Sequence, residues 1–161
     1  MTSPGWRARG VRARRRPAPP PSRAPAVEVV RLRGPFPWAE AVAYSQAVRT
    51  GGLIFLSGQY ASGDDGAVAS PEIREQVRIT FRNIEQILRE LSMSLADLVH
   101  LRVYLLDIRD LDAYRTVRSE LLPGAYPATT VLAVKAFAVP GMLVELEAVA
   151  RVPAESEGRT G

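Results

Sequence analysis

Two consecutive glycines, Gly51 and Gly52, separate two apolar stretches and constrain the fold of this chain more than any other feature. Glycine adopts positive φ without a steric clash, so the pair predicts a tight turn between antiparallel strands. The second strand starts with the bulky run 53–56 and continues into Ser-Gly-Gln at positions 57–59. A glycine inside a strand leaves room for another backbone or a ligand to approach closely. Taken alone, these residues favour a hairpin that ends in a loop, and a binding site at its end is the second interpretation.

The positive charge of the chain is concentrated near its start. Residues 1–27 hold seven arginines and no acidic residue, whereas the rest holds 14 basic and 17 acidic residues, a net charge of −3. A segment rich in arginine and proline buries too little apolar surface to offset its ordering entropy, so residues 1–26 are predicted to be a disordered tail. Such a tail can contact nucleic acid or an anionic surface, although a solvated tail, or a start codon assigned too far upstream, is the favoured interpretation.

Composition excludes several classes of protein. A length of 161 residues suggests one domain, predicted over 27–153, with a frayed end at 154–161. The chain has no cysteine and one histidine, His100, so thiol chemistry is excluded and a zinc site of histidine and cysteine is disfavoured. No apolar run approaches the roughly 20 residues that span a membrane, and the first residues lack the apolar core of a secretory signal. A cytoplasmic protein is expected.

The periodicity of apolar residues predicts a two-layer α+β domain. Ser-Pro-Glu at positions 70–72 is typical of a helix start, and the helix that follows carries a single apolar stripe. A second helix is predicted over 110–122, and strands over 27–32, 98–106, 127–136 and 143–152 in addition to the hairpin. Both helices are expected on one face of a sheet of about six strands. The stripe of the first helix consists of Ile73, Val77, Phe81, Ile84, Leu88 and Leu91.

The second face of the predicted sheet has no remaining element of the chain to cover it. The residues assigned to this face, Leu132, Val134, Val144 and Leu146, are apolar. Because exposed apolar patches mark association surfaces, other copies of the same chain are expected to cover this face.

Glu145 and Glu147 offer acid–base chemistry on the last predicted strand. Two residues apart on a strand, they leave the same face about 7 Å from each other. A carboxylate in an apolar pocket has a raised pKa and can transfer protons, but a solvated strand face is the favoured interpretation from these residues alone. His100 offers a second base, yet with no acidic partner evident in the sequence a structural role is favoured.

Five short motifs follow one another along the chain. They are Tyr-Ser-Gln-Ala-Val at 44–48, Gly-Leu-Ile-Phe-Leu-Ser-Gly-Gln at 52–59, Asn-Ile at 83–84, Pro-Ala at 127–128 and Val-Glu-Leu-Glu-Ala-Val-Ala at 144–150. Together they resemble the Rid family, the reactive intermediate deaminases, also called YjgF or L-PSP endoribonucleases. The resemblance extends from about residue 37 to residue 152.

This resemblance implies a chorismate-mutase-like α+β fold with a six-stranded mixed sheet and two helices on one face. It also implies a homotrimer whose central barrel is made by three sheets, with small-molecule clefts between subunits and no metal or cofactor. Family deaminases hydrolyse enamines and imines derived from amino acids to 2-keto acids and ammonia. By the resemblance, Glu145 orients water, the tyrosine of the pocket is Tyr44, and the backbone donor is Gly58 beside Ser57.

Two positions depart from the family pattern. The arginine that grips the substrate carboxylate after Pro-Ala is replaced by Thr129, and the asparagine of the second helix corresponds to Arg115. A guanidinium holds a carboxylate through two parallel charge-assisted hydrogen bonds, whereas a threonine hydroxyl offers one neutral donor. The difference in a closed pocket corresponds to roughly 10²-fold or more in affinity. Arg115 is the one residue expected to be able to replace the missing guanidinium.

Three functions remain open at this point. The first is an enzyme that acts on a less acidic imine, enamine or related metabolite, with Glu145 handling water. The second is a binding or regulatory trimer that recognises a metabolite without chemistry. The third is an RNA-acting protein, which the net charge of −3 outside the tail disfavours unless the arginines of the tail supply the contacts. No membrane partner is expected.

Overall fold

A computed structural model describes residues 29–122, 124 and 126–153, so the predicted tail at 1–26 and the predicted frayed end at 154–161 lie outside the described residues. The described part is an α+β domain with two α-helices and a six-stranded mixed sheet, as the sequence predicted. The strands are β1 Val30–Leu32, β2 Ala47–Thr50, β3 Leu53–Gln59, β4 Leu98–Leu105, β5 Ala128–Ala133 and β6 Val144–Arg151, and the helices are α1 Ile73–Glu90 and α2 Leu111–Leu121.

The strand order in the sheet is β1-β2-β3-β6-β4-β5. Strands β4 and β5 run parallel, and every other neighbouring pair is antiparallel. A parallel pair needs a long crossover connection, which α2 supplies between β4 and β5. Strand β6, the last in the chain, therefore lies at the centre of the sheet between β3 and β4.

The predicted hairpin is present. Gly51 and Gly52 adopt φ angles of 57° and 78°, and β2 pairs with β3 from Thr50 opposite Leu53 onward. Two consecutive residues of positive φ form the turn whose twist matches that of the flanking strands. The turn is also tied to β6, because the Val152 amide donates to the Gly52 carbonyl at 2.9 Å.

The predicted stripe of α1 packs on the sheet, with Val77, Phe81, Ile84 and Leu88 buried. The predicted start of this helix is wrong by a few residues, because α1 begins at Ile73 after an extended Glu72. The Ser70 hydroxyl accepts from the Glu72 amide at 3.1 Å, so it closes a turn before the helix rather than capping its first turn. Serine side chains bond nearby backbone amides in turns as well as at helix N-caps, so the residue type did not distinguish the two arrangements.

The assignment of Val144 and Leu146 to the uncovered sheet face is wrong. Both are fully buried in the core beneath the helices. Side chains alternate between faces along a strand, so Glu145 and Glu147, not their apolar neighbours, lie on the other face. Leu132 does lie on that face, because it pairs with Tyr104 in β4, which in turn lies opposite Glu145 in β6.

The face of the sheet opposite the helices, which we call the open face, is mixed in character. Phe55 and Leu132 are 45% and 46% exposed there. Arg102 and Glu147 form an ion pair of 3.0 Å across β4 and β6. His100 lies on the same face and is half-buried. Apolar and paired charged side chains therefore share this surface.

Candidate functional site

A cavity of about 540 Å³ lies between the segment before β2, the end of β3, the start of β6 and the loop that precedes β6. Aromatic and aliphatic side chains make most of its wall, and the carboxylates of Asp65 and Glu145 are its charged groups. The lining residues are Trp38, Val42, Tyr44, Ser57, Gly58, Tyr60, Asp65, Gly66, Ala138, Val139, Met142 and Glu145.

A β-bulge in β3 opens the sheet at this cavity. Leu56 pairs with Ala148 and Gln59 with Leu146, so two residues of β3, Ser57 and Gly58, lie opposite a single residue of β6. An extra residue of this kind interrupts the ladder and redirects the neighbouring side chains. The Ser57 hydroxyl donates to the Ser45 carbonyl at 2.7 Å. Its proton is therefore engaged with the backbone before β2 and is not directed at a ligand in the cavity.

Gly58 allows the Glu145 side chain to lie directly against β3. A Cβ atom at position 58 would be 1.9 Å from Glu145 Oε1 and 2.9 Å from its Cδ. Any side chain at position 58 would therefore displace the carboxylate of Glu145. The glycine of the predicted Ser-Gly-Gln motif thus has a defined role, which is to admit a carboxylate to the wall of the cavity.

The carboxylate of Glu145 is held in an environment that favours its protonated form. Burial raises its pKa above the ordinary value, and the nearby charge of Glu147 raises it further. Among the described residues it forms no hydrogen bond or ion pair, whereas Glu147 is paired with Arg102 at 3.0 Å. The two acids of β6 therefore differ in chemical character, and Glu145 is the one suited to exchange a proton with water.

Tyr44 places a phenol on the same cavity. Its hydroxyl accepts a hydrogen bond from Gln46 Nε2 at 3.1 Å. Burial raises the pKa of Tyr44 above its ordinary value of 10.0, so the phenol stays protonated at neutral pH. Tyr44 is then a neutral hydrogen-bond donor, not a base.

The aromatic wall of the cavity was not singled out from the sequence. Trp38 stacks on Phe36 at a ring separation of 6.0 Å and meets Tyr60 at the same separation in a tilted arrangement. The Tyr60 hydroxyl donates to the Gly66 carbonyl at 2.6 Å, and the Asn83 amide donates to the Tyr60 carbonyl at 3.0 Å. The Asn-Ile motif in α1 was the available sequence signal, since Asn83 fixes this part of the wall.

Gln76 holds the opposite wall in place. This fully buried side chain donates to the carbonyls of Ser70 and Gly141, each at 2.8 Å, and accepts from the Leu143 amide at 2.8 Å. It thereby joins the start of α1 to the loop that carries Val139 and Met142 into the cavity. A polar residue next to the apolar stripe was the only signal in the sequence, and two of its three partners lie 65 and 67 residues away.

Four of the six residues named from the resemblance lie together on this cavity: Tyr44, Ser57, Gly58 and Glu145. Thr129 does not, because it pairs with Leu101 and shares the face that the helices cover. Its hydroxyl donates to the Pro127 carbonyl at 2.9 Å. Arg115 is also absent from the wall and lies 3.5 Å from Asp112 on the exposed side of α2. The structure of one chain therefore brings four of the residues together and leaves two apart.

Other kinds of site find no support in the described residues. No group of three histidine, aspartate or glutamate side chains among residues 29–122, 124 and 126–153 is arranged to hold a metal ion. No helix in the same part of the chain is long and apolar enough to cross a membrane. His100 lies over the open face near Arg102, with no acidic hydrogen-bond partner among the described residues, and is not part of the cavity wall.

Comparison with known proteins gives consistent matches. The family profile described as Endoribonuclease L-PSP matches residues 37–152. The chain is 44% identical over 90 residues to Protein mmf2, mitochondrial, from Schizosaccharomyces pombe, covering 56% of this chain and 71% of that protein. It is 37% identical over 109 residues to a RutC family protein from Pyrococcus abyssi, covering 66% of this chain and 84% of that one. With a mitochondrial protein among the relatives, a cytoplasmic location stays a prediction.

Solved structures agree with these matches. Rv2704 from Mycobacterium tuberculosis, described as a member of the YjgF/YER057c/UK114 family, superposes with a TM-score of 0.67 at 33% identity. The superposition covers 78% of this chain and 100% of that one.

Proposed function

This chain belongs to the Endoribonuclease L-PSP family, also called YjgF, and we propose that its cavity binds an imine, an enamine or a related reactive metabolite and hydrolyses it. The observation that carries the proposal is the carboxylate of Glu145. It lies against Gly58 in the wall of the cavity with a raised pKa and no competing partner among the described residues. A half-buried acid of this kind can accept a proton from water at the pH where it is ionised and return it afterwards.

The chemistry requires only water and proton transfer. Glu145 takes a proton from a water molecule, whose oxygen forms a bond to the carbon of the C=N group. The electrons of the C=N π bond pass to the nitrogen, which takes the proton back from Glu145. The new hydroxyl then gives its proton through Glu145 to the nitrogen as the C–N bond breaks, and a carbonyl compound and ammonia or an amine leave. Tyr44, as a neutral donor, is placed to hydrogen-bond the reacting group from the same cavity.

The substrate is proposed to carry no carboxylate next to the imine. No lysine or arginine is among the described residues that line the cavity, whereas Asp65 and Glu145 are. Among the lining residues of one chain, a carboxylate would meet two acids and no guanidinium, and like charges at close range are mutually destabilising. Thr129 is neutral, so it could not pair with a carboxylate even if a neighbouring subunit brought it to the cavity.

We further propose that the protein assembles as a homotrimer through the open face. Phe55 and Leu132 are half-exposed on that face, and the helices already cover the other one. In such an assembly β5 of a neighbouring subunit could bring Thr129, or α2 could bring Arg115, to the cavity. The two named residues that lie apart in one chain would then be supplied by another.

The experiment compares two imines that differ by one group. An amino-acid oxidase acting on phenylalanine makes an imine that bears a carboxylate, and an amine oxidase acting on phenethylamine makes the corresponding imine without it. A nucleophile that traps the imine competes with hydrolysis, so the protein lowers the yield of the trapped product if it hydrolyses that imine. We expect hydrolysis of the imine without a carboxylate and little of the other.

Variants identify the groups involved. Glu145→Gln is expected to abolish hydrolysis, while Glu147→Gln, which alters the neighbouring acid on the same strand, is expected to retain it. Thr129→Arg should raise activity toward the imine that bears a carboxylate if a neighbouring subunit supplies this position. Strong hydrolysis of that imine by the wild type, lost in Arg115→Ala, would contradict the absence of a carboxylate clamp.

A second function, metabolite binding without chemistry, is favoured by one observation. The hydroxyl of Thr129, which stands where family deaminases have arginine, is already bound to the Pro127 carbonyl. A site without its substrate clamp can retain the cavity and lose the reaction. Failure of both wild type and Thr129→Arg to hydrolyse either imine would favour this function.

A further inference from the structure

We propose that Gln46 and Gln59 are positioning residues that fix the direction of the Tyr44 hydroxyl proton, so that Tyr44 donates a hydrogen bond to an acceptor atom of the ligand. Both amides lie behind the cavity and neither lines it. The value of this arrangement for a reaction rests on the proposed function of the cavity. The direction of the proton itself can be measured without any ligand.

The direction follows from a chain of hydrogen bonds that begins at a backbone carbonyl. The carbonyl of Ser57 can only accept, so the atom of Gln59 that lies 3.1 Å from it must be the amide nitrogen. The same nitrogen lies 2.8 Å from the Gln46 side chain, which must therefore present its oxygen. The nitrogen of Gln46 is then the atom 3.1 Å from the Tyr44 hydroxyl.

The last bond of this chain orients the phenol. An amide nitrogen donates and does not accept, so the Tyr44 oxygen must accept from Gln46. The proton of the hydroxyl consequently points away from Gln46. Tyr44 is 36% exposed and lines the cavity, so that proton is available to a bound molecule.

Burial makes the orientation hard to reverse. Gln46 is completely buried and Gln59 is 2% exposed, so neither amide can exchange its partners for bulk water. If the side-chain amide of Gln46 were flipped, its nitrogen would face the Gln59 nitrogen, and two donors would meet. Its oxygen would face the Tyr44 hydroxyl, which would have to rotate to donate to it. Buried polar groups without a partner carry the full cost of their desolvation, so the arrangement that pairs Gln46 Nε2, Gln46 Oε1 and Gln59 Nε2 is favoured over its reverse.

The backbone around Gln46 also restrains it. Its amide donates to the Leu32 carbonyl at 2.8 Å, and its carbonyl accepts from the Ser57 amide at 2.9 Å. Gly34, with a φ of 83°, packs so closely that a Cβ there would be 2.6 Å from Gln46 Cγ. Both the main chain and the side chain of Gln46 are therefore held from two sides.

Because Tyr44 donates, the cavity should favour a ligand with an acceptor lone pair facing the phenol. A fixed phenol donor suits the nitrogen of a neutral imine or the oxygen of a carbonyl, and it disfavours a group that can only donate, such as an iminium. A hydrogen bond to the imine nitrogen draws charge from the adjacent carbon, where water adds. Tyr44 would then hydrogen-bond the imine nitrogen, while Glu145 takes a proton from the attacking water.

The test replaces the donor by a group whose hydrogen-bonding direction depends on pH. In Gln46→Glu the shape of the side chain is retained, and Gln59 can still donate to it. A protonated carboxyl donates to Tyr44 as the amide does, whereas an ionised one accepts, so the Tyr44 proton should turn toward it. Raman spectra of full-length protein report this, because the intensity ratio of the tyrosine doublet falls when the phenol becomes a stronger donor.

We expect a fall in this ratio as the pH of Gln46→Glu is raised, and no such fall in Tyr44→Phe combined with Gln46→Glu. The wild type, titrated over the same range, controls for Glu145 as the neighbouring titratable group. Gln86→Glu, the same change at an exposed position of α1, controls for the added charge. A ratio in Gln46→Glu that follows the wild type at every pH would overturn the proposal.

A second variant covers the case in which the introduced carboxyl prevents folding. Gln46→Met keeps the bulk and removes the donor, and it should lower kcat/KM roughly tenfold, the value of one hydrogen bond. In a Tyr44→Phe background the same change should have almost no further effect. A loss of equal size in both backgrounds would show a purely structural role. A Raman shift without hydrolysis by the wild type would leave the positioning role intact and refute the proposed enzyme function.

Discussion

Gly58 controls how the Glu145 carboxylate meets strand β3, and it offers a sharp test of the site. Its φ lies outside the positive range, so alanine fits the backbone, and the clash at 1.9 Å is with the flexible end of a side chain. Gly58→Ala is therefore expected to displace Glu145 rather than to unfold the protein. Activity should fall at least tenfold while the melting temperature changes by only a few degrees.

The control for Gly58→Ala is Gly63→Ala, where the added Cβ would lie 3.3 Å from Asp65 Oδ1. This variant should keep most of the activity, measured in the same trapping assay. Full activity of Gly58→Ala would show that the position of the carboxylate does not matter for the reaction.

The raised pKa of Glu145 predicts how stability depends on pH. Folding favours the protonated form of this acid, so its contribution is present below its ordinary pKa of 4.5 and is lost as the pH rises through the raised value. Glu145→Gln cannot ionise and should unfold at a higher denaturant concentration than the wild type at neutral pH. The difference should shrink below pH 4.5.

Chemical denaturation from acid to neutral pH measures this effect, with Glu147→Gln as the control. That variant removes the ion pair with Arg102 and should give no gain at neutral pH. If the advantage of Glu145→Gln were the same at every pH, the carboxylate would not be held in the environment described.

At the scale of elements, substitutions in the Gly51-Gly52 turn test how much its backbone conformation contributes to stability. Nothing lies within 4 Å of a Cβ built at either glycine, so a substitution there changes φ preference without changing packing. Gly51→Val should lower the free energy of unfolding by about 1–2 kcal/mol, since a β-branched residue is strained at a φ of 57°.

Asparagine tolerates the left-handed region, so Gly51→Asn should cost much less than Gly51→Val in the same denaturation experiment. An equal loss from both substitutions would mean that the turn depends on something other than its backbone angles.

The sequence predicted elements where a local pattern determines them, and it missed what depends on distant partners. The turn at Gly51 and the stripe along α1 each follow from neighbouring residues, and both are present. The buried glutamines Gln46, Gln59 and Gln76 have no periodic signal, because their partners are set by the tertiary fold. Strand spacing offered Glu145 and Glu147 alike, and only the resemblance singled out Glu145, because its environment depends on a glycine in another strand.

The error over Val144 and Leu146 has a related cause. The presence of apolar residues does not by itself show which face of a sheet they lie on. A shift of the strand register by one residue exchanges the two faces. The alternating acids Glu145 and Glu147 were the usable signal. A strand that packs one face on a core keeps its ionisable side chains on the opposite face, which places Val144 and Leu146 in the core.

At the scale of the whole molecule, one surface of the sheet remains to be explained. The helices pack on one face, while Phe55 and Leu132 stand half-exposed on the open face beside the paired Arg102 and Glu147. Apolar residues flanked by satisfied charges are typical of an association surface. The open face includes β6, the strand that carries Glu145, so any contact made on this face lies on the same strand as the site.

The last prediction is that the full-length protein is a homotrimer held by the open face. Burial of a phenylalanine stabilises by about 1.5–3 kcal/mol, and a closed trimer would bury three copies of Phe55. Sedimentation equilibrium should give three times the chain mass for the wild type and a folded monomer for Phe55→Glu. Arg82→Glu, at an exposed position of α1 on the opposite side, should remain a trimer. A wild-type monomer at micromolar concentration would refute this assembly, and Thr129 and Arg115 would then have no route to the cavity. If Phe55→Glu is monomeric and also inactive although its own Glu145 is intact, the site requires a second subunit.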